Sequence, residues 1–384
     1  MMKKLIWVTT VAQSMVLFKG QLKFMSNYFD LTFVSSNELK PNELTVRGMT
    51  ENIRVHELPM KREISLFNDF KSLIAFLTYF HAMKPDAVHG NTPKGALLAM
   101  LAAKLTRVKT RIYMCHGLRY QGCNGIMRRI LESMEKLTCA CATHVLCVSE
   151  GVKNTLADDG ICPAKKSRVI GYGSCNGINK DFFDASVYDK EDKEQLRHQY
   201  GIGKDDFLFI FMGRIVKDKG VNEMVEAFTR YRKENPHVRL IILGAFENNQ
   251  NPVEAHTMDI IKGNKEGVVY CGKQSDVRPF LAASQCLLLP SYREGFGMVL
   301  MEAGAMGVPV ICSDIIGCNN VVTQDNGLLV EPRNADDLYQ KMKKMVEDIS
   351  LYRYFAASTR PSVIKRFDQQ MLWNEFLAYY KSII

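Results

Sequence analysis

Short apolar runs alternate with longer amphipathic segments along both halves of the chain. In the first half, the apolar runs predict seven buried strands: Lys4–Thr9, Leu31–Ser35, Ile53–Leu58, Ala87–His89, Arg111–Cys115, Val145–Val148 and Val169–Gly171. Helical periodicity between several of them predicts helices at Ser65–Met83, Lys94–Leu105 and Ile126–Cys139. Strands that alternate with helices of this length are typical of parallel sheets covered on both faces.

The same pattern starts again after a charged stretch from Asp184 to Asp206, which carries no strand signal. The later strands are predicted at Phe207–Met212, Arg239–Leu243, Val268–Cys271, Cys286–Leu289 and Val310–Cys312, and the helices at Gly220–Glu234, Val277–Ala283, Met298–Met306, Ala335–Val346 and Asp368–Ile384. We therefore expect an α/β protein with two doubly wound, Rossmann-like domains, residues 1–184 and 185–364, that face a central cleft. Ligands in such sheets bind beyond the carboxyl ends of the strands.

Length and composition agree with this interpretation. A chain of 384 residues favours two domains, and 47% apolar with 24% charged residues is ordinary globular composition. Apolar runs stay well short of the roughly 18 residues that a membrane span needs. The spacing of the 11 cysteines predicts no disulfide or zinc framework, so we expect reduced thiols in a cytoplasmic protein.

Positive charge is concentrated in the first half of the chain. Residues 1–184 hold 25 Lys and Arg against 15 Asp and Glu, whereas residues 185–384 hold 25 against 26. Such a domain suggests an anionic partner, and without a nucleic-acid-binding module we expect a membrane surface or a phosphorylated substrate. The basic residues Lys104, Arg107, Lys109, Arg111, Arg128, Arg129 and Lys136 form either a solvated face or a contact with an anionic membrane that carries a lipid-linked acceptor.

The first candidate for chemistry follows the apolar strand Phe207–Met212. Gly213 allows a tight exit from the strand, Arg214 offers a planar fork of donors, and Lys219 adds a cation near the next helix N-terminus. Together these groups could hold a diphosphate. A solvated loop with two surface cations is the alternative.

The second candidate is the segment from Glu294 to Glu302, which reads Glu-Gly-Phe-Gly-Met-Val-Leu-Met-Glu. It predicts a loop through Gly295, Phe296 and Gly297 and then a helix that includes Val299, which would place the carboxylates roughly 6–8 Å apart along the helix axis. One carboxylate could accept hydrogen bonds from sugar hydroxyls and the other from ribose, with free backbone N–H groups between them for phosphate oxygens. Alternatively, Glu302 lies on an ordinary helix face.

Two weaker candidates lie in the first half. His116 follows the strand Arg111–Cys115, where a neutral imidazole could hydrogen-bond a sugar, although a structural role is equally open. Gly20 could let backbone approach phosphates, but the loop from Gln13 to Gly20 lacks the usual glycine-rich turn.

These motifs resemble the retaining glycosyltransferases of the GT-B fold, specifically glycosyltransferase family 4 of the bacterial surface-polysaccharide type. The resemblance extends over nearly the whole chain and is carried by His116-Gly117, Val148-Ser149, Asn176-Gly177, Gly213-Arg214, Lys219-Gly220, Leu243-Gly244, Tyr270-Cys271-Gly272, Pro290-Ser291, the Glu294 and Glu302 pair, Gly307-Val308-Pro309 and Asn326-Gly327.

The resemblance implies that Arg214 and Lys219 bind the donor diphosphate, Glu294 the sugar and Glu302 the ribose. It also implies that His116 lies beside the transferred sugar and that Gly272 and Lys273 lie near the base. The C-terminal helix, residues 365–384, would pack back on the first domain. The first-strand loop departs from the family pattern because it lacks a Gly-Gly pair.

The implied reaction is transfer of a hexosyl or N-acetylhexosaminyl group with retention, without a metal or cofactor. Arg214, Lys219, Glu294 and His116 are the expected catalytic residues, and a UDP-sugar is the expected donor. The expected acceptor is a glycan, on a lipid diphosphate, in capsule, exopolysaccharide or O-antigen synthesis at the inner face of the plasma membrane.

Two other interpretations of the function stay open. A nucleotide-sugar 2-epimerase on the same fold would need acid and base residues around the sugar that the first half does not reveal. A nicotinamide dehydrogenase would need a Gly-x-Gly-x-x-Gly turn after a strand, which is missing, and a non-catalytic module would bind the donor without turnover.

Overall fold

The structure is a computed structural model that describes residues 2–247 and 251–384. The chain divides into two compact units, the first comprising Met1–Gly177 with Gln369–Ile384 and the second Ile178–Asp368. The first unit thus ends at Gly177 rather than at residue 184. The reason is that the Ile178 N–H donates to the Phe367 carbonyl and Ile178 bridges Asp368, so the chain joins the second unit there.

The first unit is built around a parallel seven-stranded sheet in the order β3-β2-β1-β4-β5-β6-β7. Its strands are β1 (Lys4–Val11), β2 (Asp30–Ser36), β3 (Arg54–Glu57), β4 (Ala87–Asn91), β5 (Thr110–Cys115), β6 (His144–Cys147) and β7 (Ser167–Val169). Its helices are α1 (Gln21–Ser26), α2 (Glu43–Glu51), α3 (Leu66–Met83), α4 (Pro93–Leu105), α5 (Gly125–Cys141) and α6 (Glu150–Asp158).

The apolar runs form strands because both faces of this sheet are covered. Leu5 of β1 pairs with Leu31 of β2 and with Ala87 of β4, and all three are buried. Right-handed crossovers place α1 and α2 on one face and α3 to α6 on the other. Helix α4 packs between α3 and α5 on that second face.

The second unit contains a parallel six-stranded sheet in the order β10-β9-β8-β11-β12-β13. Its strands are β8 (Phe207–Met212), β9 (Val238–Leu243), β10 (Val268–Gly272), β11 (Cys286–Leu289), β12 (Val310–Ser313) and β13 (Gly327–Val330). Its helices are α7 (Lys190–Gln199), α8 (Val221–Glu234), α9 (Ala255–Lys262), α10 (Arg278–Ala283), α11 (Met298–Ala305), α12 (Ala335–Glu347) and α13 (Ile349–Phe367).

The last helix, α14 (Gln369–Ile383), makes its contacts within the first unit. The Tyr380 hydroxyl lies 2.6 Å from Nδ1 of His89, and both side chains are buried. The Trp373 indole N–H donates to Oδ1 of Asn176 over 2.7 Å. These polar contacts join the amphipathic face of α14 to β4 and to the segment that follows β7.

The prediction of two parallel, doubly wound sheets is confirmed. All predicted strands are present, although β7 lies two residues earlier than expected and β13 was not predicted as a strand. The charged stretch before β8 contains α7, which begins with a capping box at Asp189 and Asp192. Its helix-starting signal was overlooked because the segment offers little apolar periodicity.

Candidate active site

The two second-unit motifs follow neighbouring strands of one sheet. Gly213 and Arg214 follow β8, and the segment from Pro290 to Gly297 follows β11. Strands β8 and β11 are adjacent, and the strand order reverses between them. Such a reversal opens a crevice at the carboxyl edge of a parallel sheet, which is where ligands bind in open α/β folds.

Close backbone approaches explain Gly213, which precedes Arg214, and Gly244, which follows β9. The Gly213 N–H donates to the Leu243 carbonyl over 3.0 Å, and a Cβ at Gly244 would overlap the Gly213 carbonyl oxygen. This close approach holds the ends of β8 and β9 together and places Arg214 at the edge of the sheet. There Nη1 of Arg214 lies 2.8 Å from Oε2 of Glu247, and both side chains are exposed to solvent.

Lys219 and Glu294 form an ion pair, with Nζ of Lys219 donating to Oε1 of Glu294. The Ser291 hydroxyl donates to the same carboxylate oxygen over 2.9 Å. Both charged side chains are mostly buried, so the pair is shielded from solvent. The sequence assigns Lys219 to the donor diphosphate and Glu294 to the sugar, and the structure places the two side chains in direct contact.

Gly220 is what lets the two loops meet. It has φ +66° at the start of α8, and a Cβ there would overlap the carbonyl oxygen of Pro290. The Tyr292 N–H also donates to the Asp218 carbonyl over 2.9 Å, and the Arg293 guanidinium lies 2.8 Å from the Asp218 carboxylate. The β8 and β11 loops are therefore joined on both sides of Lys219.

Glu302 lies in α11 and is half-buried. Burial raises the pKa of this carboxyl from 4.5 to about 7. Within residues 2–247 and 251–384, no hydrogen bond or ion pair to this carboxyl is recorded, unlike that of Glu294. A partly buried carboxyl without a donor is costly when ionised, so it is suited to accept hydrogen bonds from a ligand.

The segment between the two glutamates is only partly as predicted. The Gly297 N–H donates to the Gly317 carbonyl over 3.0 Å, and the Met298 N–H donates to the Phe296 carbonyl over 2.9 Å. These two amides are therefore engaged within the protein, and the expectation of free N–H groups does not hold for them. The Phe296 ring packs edge-on against Phe367, with centroids 5.6 Å apart.

The remaining predicted donor contacts of the second unit lie at the same sheet edge. Gly272 ends β10 with φ +66°, and its carbonyl accepts the Gly244 N–H over 2.9 Å. Lys273 follows it and is exposed, and Val299 lies half-buried in the first turn of α11. Gly272 and Lys273 are separated from the β8–β11 crevice by β9.

His116 and Gly20 lie in the first unit. Nε2 of His116 lies 3.1 Å from Oδ1 of Asn91, and burial lowers the pKa of the imidazole to about 4. The Asn91 amide nitrogen contacts the His89 carbonyl at 3.4 Å, which directs Oδ1 towards His116. His116 therefore carries its proton on Nε2, as inferred from this network, and leaves Nδ1 as an acceptor.

Gly20 is explained by contacts within the unit. Its N–H donates to Oε2 of Glu51 over 2.8 Å, and a Cβ at this position would approach the Trp373 ring to 2.8 Å. Asn91 was missed from sequence, although it directly ends a buried strand at the same sheet edge as His116. Ser291, which the sequence marks only as part of the Pro290-Ser291 motif, holds Glu294 through its hydroxyl.

Two features are absent from the described residues. No cluster of three or more His, Cys, Asp or Glu side chains that could hold a metal ion was found among residues 2–247 and 251–384. Over the same ranges, no helix is both long enough and apolar enough to cross a membrane.

Family models match most of the chain. The model described as "Glycosyl transferases group 1" matches residues 192–361, and the "Glycosyl transferase 4-like domain" model matches residues 32–173. Over 386 residues, 100% of this chain and 98% of the relative, the sequence is 32% identical to the capsular polysaccharide biosynthesis glycosyltransferase CapM of Staphylococcus aureus. It is 26% identical over 306 residues, 78% of this chain and 76% of the relative, to the Escherichia coli UDP-Gal:alpha-D-GlcNAc-diphosphoundecaprenol alpha-1,3-galactosyltransferase.

Solved structures share the fold over the full length. Anabaena HepE in complex with UDP superposes with a TM-score of 0.82 at 18% identity, covering 99% of this chain and 100% of HepE. A glycosyltransferase from Rickettsia africae superposes with a TM-score of 0.81 at 20% identity, covering 100% and 98% of the two chains. At these identities the likeness establishes the fold, and the predicted GT-B class is confirmed.

Proposed function

Because the chain belongs to the GT-B glycosyltransferases of family 4, we propose that it transfers a sugar, with retention of configuration, from a UDP-sugar to a lipid-diphosphate-linked glycan. The transferred group in this proposal is a hexosyl or N-acetylhexosaminyl residue. The product is a longer lipid-linked glycan for a bacterial capsule, exopolysaccharide or O-antigen.

One observation carries the donor part of the proposal, namely the Lys219–Glu294 pair in the β8–β11 crevice. A diphosphate that enters this crevice competes with Glu294 for the Lys219 ammonium, because both are anionic acceptors. Once displaced, the Glu294 carboxylate can accept hydrogen bonds from sugar hydroxyls while Ser291 still orients it. The ion pair thus acts as a preorganised site whose partner is exchanged on binding.

Bond cleavage in this scheme depends on stabilising the leaving diphosphate. Lys219 and the Arg214 guanidinium, which is free to swing from its exposed pair with Glu247, supply positive charge where negative charge develops. This is the work that a divalent cation does in other enzymes, and it supports metal-independent transfer. If EDTA removed activity and Mg²⁺ restored it, the metal-independent part of the proposal would fall.

Two further groups would position the sugar and the nucleoside. His116 stays neutral because the pKa of its imidazole is lowered to about 4, so Nδ1 can accept a hydrogen bond from a sugar hydroxyl. Glu302 would accept hydrogen bonds from the ribose hydroxyls through its otherwise unpartnered carboxyl. Gly272 and Lys273 would lie near the base, and the Gly20 N–H would contact phosphate only by exchanging its bond to the Glu51 carboxylate.

The acceptor class is supported by relatives. The names of two of them, from Escherichia coli and Campylobacter jejuni, specify diphosphoundecaprenol-linked sugars as acceptors, and the chain is 26% identical to each. The basic character of residues 1–184 suits an anionic lipid diphosphate. We accordingly propose that the enzyme works in the cytoplasm, at the inner face of the plasma membrane.

The proposal is tested by a thermal-shift panel of nucleotide sugars, since a ligand that binds only the folded protein must raise its stability. We expect one UDP-sugar to raise the melting temperature of the wild type and to have a much weaker effect on Glu294→Ala. Donors that bind are then incubated with the enzyme and lipid-diphosphate glycans, and the products are analysed by mass spectrometry. Isomerised donor without a transferred sugar would instead indicate an epimerase.

A further inference from the structure

Helices α3, α4 and α5 expose large apolar side chains on the face of the first unit that they share. On α3, Leu66 is 86% exposed, Phe67 69% and Phe70 62%, and on α5 Ile126 is 78% exposed. Further exposed members of this set are Ile64, Ile74, Leu105, Met127, Ile130 and Leu137. Single exposed apolar residues are ordinary, but a set concentrated on one face marks an interaction surface.

Helical spacing shows that these side chains form stripes rather than scattered positions. Leu66, Phe70 and Ile74 recur every four residues along α3 and are exposed, whereas Phe76 and Phe80 of the same helix are buried. On α5, Ile126 and Ile130 lie on one side while Leu131, Glu135 and Thr138 are buried on another. Each helix therefore has a buried apolar side and a second apolar side that faces away from the sheet.

Helix α4 completes the surface between them. It packs against both α3 and α5, and Leu97, Leu101 and Leu105 recur every four residues on its outer side. The most exposed members on α3 and α5 lie in the first turns of these helices. Those turns follow the carboxyl ends of β3 and β5, so the apolar surface reaches the edge of the sheet where His116 lies.

The charges around this surface are mainly positive. Lys61, Arg62, Lys71, Lys104, Arg107, Lys109, Arg129 and Lys136 are exposed on these helices or on the segments that flank them. The Lys71 ammonium lies 4.4 Å from the centroid of the Phe67 ring, so charge and aromatic surface meet directly. By contrast, Arg128 is paired with Glu132 over 2.7 Å.

We propose that the outer face of α3, α4 and α5 is a membrane-docking surface that inserts its apolar side chains among the lipids of an anionic bilayer. Apolar side chains flanked by cations are the chemistry that an anionic lipid surface recognises, whereas a neutral protein partner would leave the cations unpaired. The purpose of the docking, though not the docking itself, rests on the proposed function. Docking by this face would bring the sheet edge with His116 to a lipid-linked acceptor.

The test measures binding to vesicles in the absence of any sugar donor. Flotation is compared between vesicles of phosphatidylcholine alone and vesicles that also contain phosphatidylglycerol, at low and at 0.5 M salt. The variants are Leu66→Ser with Phe67→Ser and Phe70→Ser on α3, and Ile126→Ser with Ile130→Ser on α5. Because salt screens charge but not apolar insertion, residual binding of the wild type at high salt is expected.

A matched control is available on the opposite face of the same sheet. Val46 and Met49 of α2 are 60% and 76% exposed, so Val46→Ser with Met49→Ser removes similar apolar surface elsewhere. We expect the α3 variant to lower the partition coefficient by at least ~30-fold, on the basis of the transfer free energy of three large apolar side chains. The control should bind like the wild type, and all variants should melt at the wild-type temperature.

Three results would overturn the proposal. The first is no flotation of the wild type with phosphatidylglycerol vesicles at low salt. The second is binding that salt abolishes completely and that the α3 and α5 variants retain, which would indicate charge attraction alone. The third is that the wild type does not bind vesicles but forms a dimer, and that the α3 and α5 variants disrupt this dimer. This result would make the face a protein interface. If the protein bound vesicles but transferred no sugar, the docking surface would be supported and the proposed function would be wrong.

Discussion

Replacing Glu302 by glutamine removes its charge while nearly preserving its size, which isolates the effect of ionising this carboxyl. In the unliganded protein, burial raises the pKa of Glu302 from 4.5 to about 7. An acid whose pKa is raised on folding favours the folded state at low pH and loses that contribution as the pH rises through about 7. The ionised carboxyl therefore destabilises the unliganded protein at pH 8.

The size of this effect follows from the pKa. Since a tenfold change in a proton equilibrium corresponds to about 1.4 kcal/mol, a rise from 4.5 to about 7 corresponds to about 3 kcal/mol. We expect Glu302→Gln to approach this gain in the free energy of unfolding at pH 8 and to show little gain at pH 4.5. Chemical denaturation at both pH values measures the difference.

Donor binding should depend on pH in the opposite direction. Ribose hydroxyls that donate to the ionised carboxyl lower its pKa, so binding releases a proton and the donor binds more tightly as the pH rises. With a pKa of about 7, only about a tenth of the carboxyl is ionised at pH 6 and about nine tenths at pH 8, which predicts roughly tenfold weaker binding at pH 6.

Isothermal titration with an intact UDP-sugar is the appropriate assay, because its diphosphate diester does not titrate between these pH values. His116 also stays neutral in this window, since its pKa is about 4. Glu302→Gln should bind the donor more weakly at pH 8 and show no pH dependence. Equal affinity of the wild type at pH 6 and pH 8, or the same pH dependence in the variant, would refute the assignment of Glu302 to the donor.

Three further predictions concern charge, backbone and the last helix. Lys219→Met should abolish transfer and weaken the binding of UDP far more than that of uridine, and equal losses for both ligands in titration would contradict its role at the diphosphate. Gly220→Ala should lower the free energy of unfolding by about 2–4 kcal/mol because a Cβ overlaps a backbone carbonyl, whereas Gly272→Ala, which has the same φ but open space, should cost about 1 kcal/mol. Tyr380→Phe should cost about 1–3 kcal/mol in urea unfolding because it leaves a buried nitrogen of His89 without its partner, and an unchanged midpoint would argue against that hydrogen bond.

The strands and the long helices were predictable because the pattern of apolar residues in each element reflects which of its faces are buried. Runs such as Phe207–Met212 are apolar at every position, which is typical of a strand buried on both faces. Strand β13 was missed because Leu328 and Leu329 are only partly buried at the sheet edge, and a run of four residues carries little periodicity. The predicted boundary at residue 184 lies after the observed one at Gly177. The contact between Ile178 and Phe367 that sets the observed boundary joins residues far apart in sequence and leaves no local signal.

The site residues were predictable from local motifs, but their relations to one another were not. Lys219 and Glu294 are 75 residues apart, and their contact depends on β8 and β11 being neighbours in the sheet. Local sequence also could not reveal that packing around Glu302 raises the pKa of its carboxyl, or that the Gly297 N–H donates to the Gly317 carbonyl. These features depend on packing between segments that are far apart in sequence.

The most direct test of the account is the structure of the reaction product. The enzyme is incubated with a UDP-α-sugar and a lipid-diphosphate glycan, and the product is analysed by mass spectrometry and by NMR of the new anomeric proton. The account predicts an acceptor extended by one sugar in α linkage, formed by the wild type and not by Glu294→Ala. A β-linked product would contradict retention, and an acceptor left unextended while the donor is consumed would contradict glycosyl transfer itself.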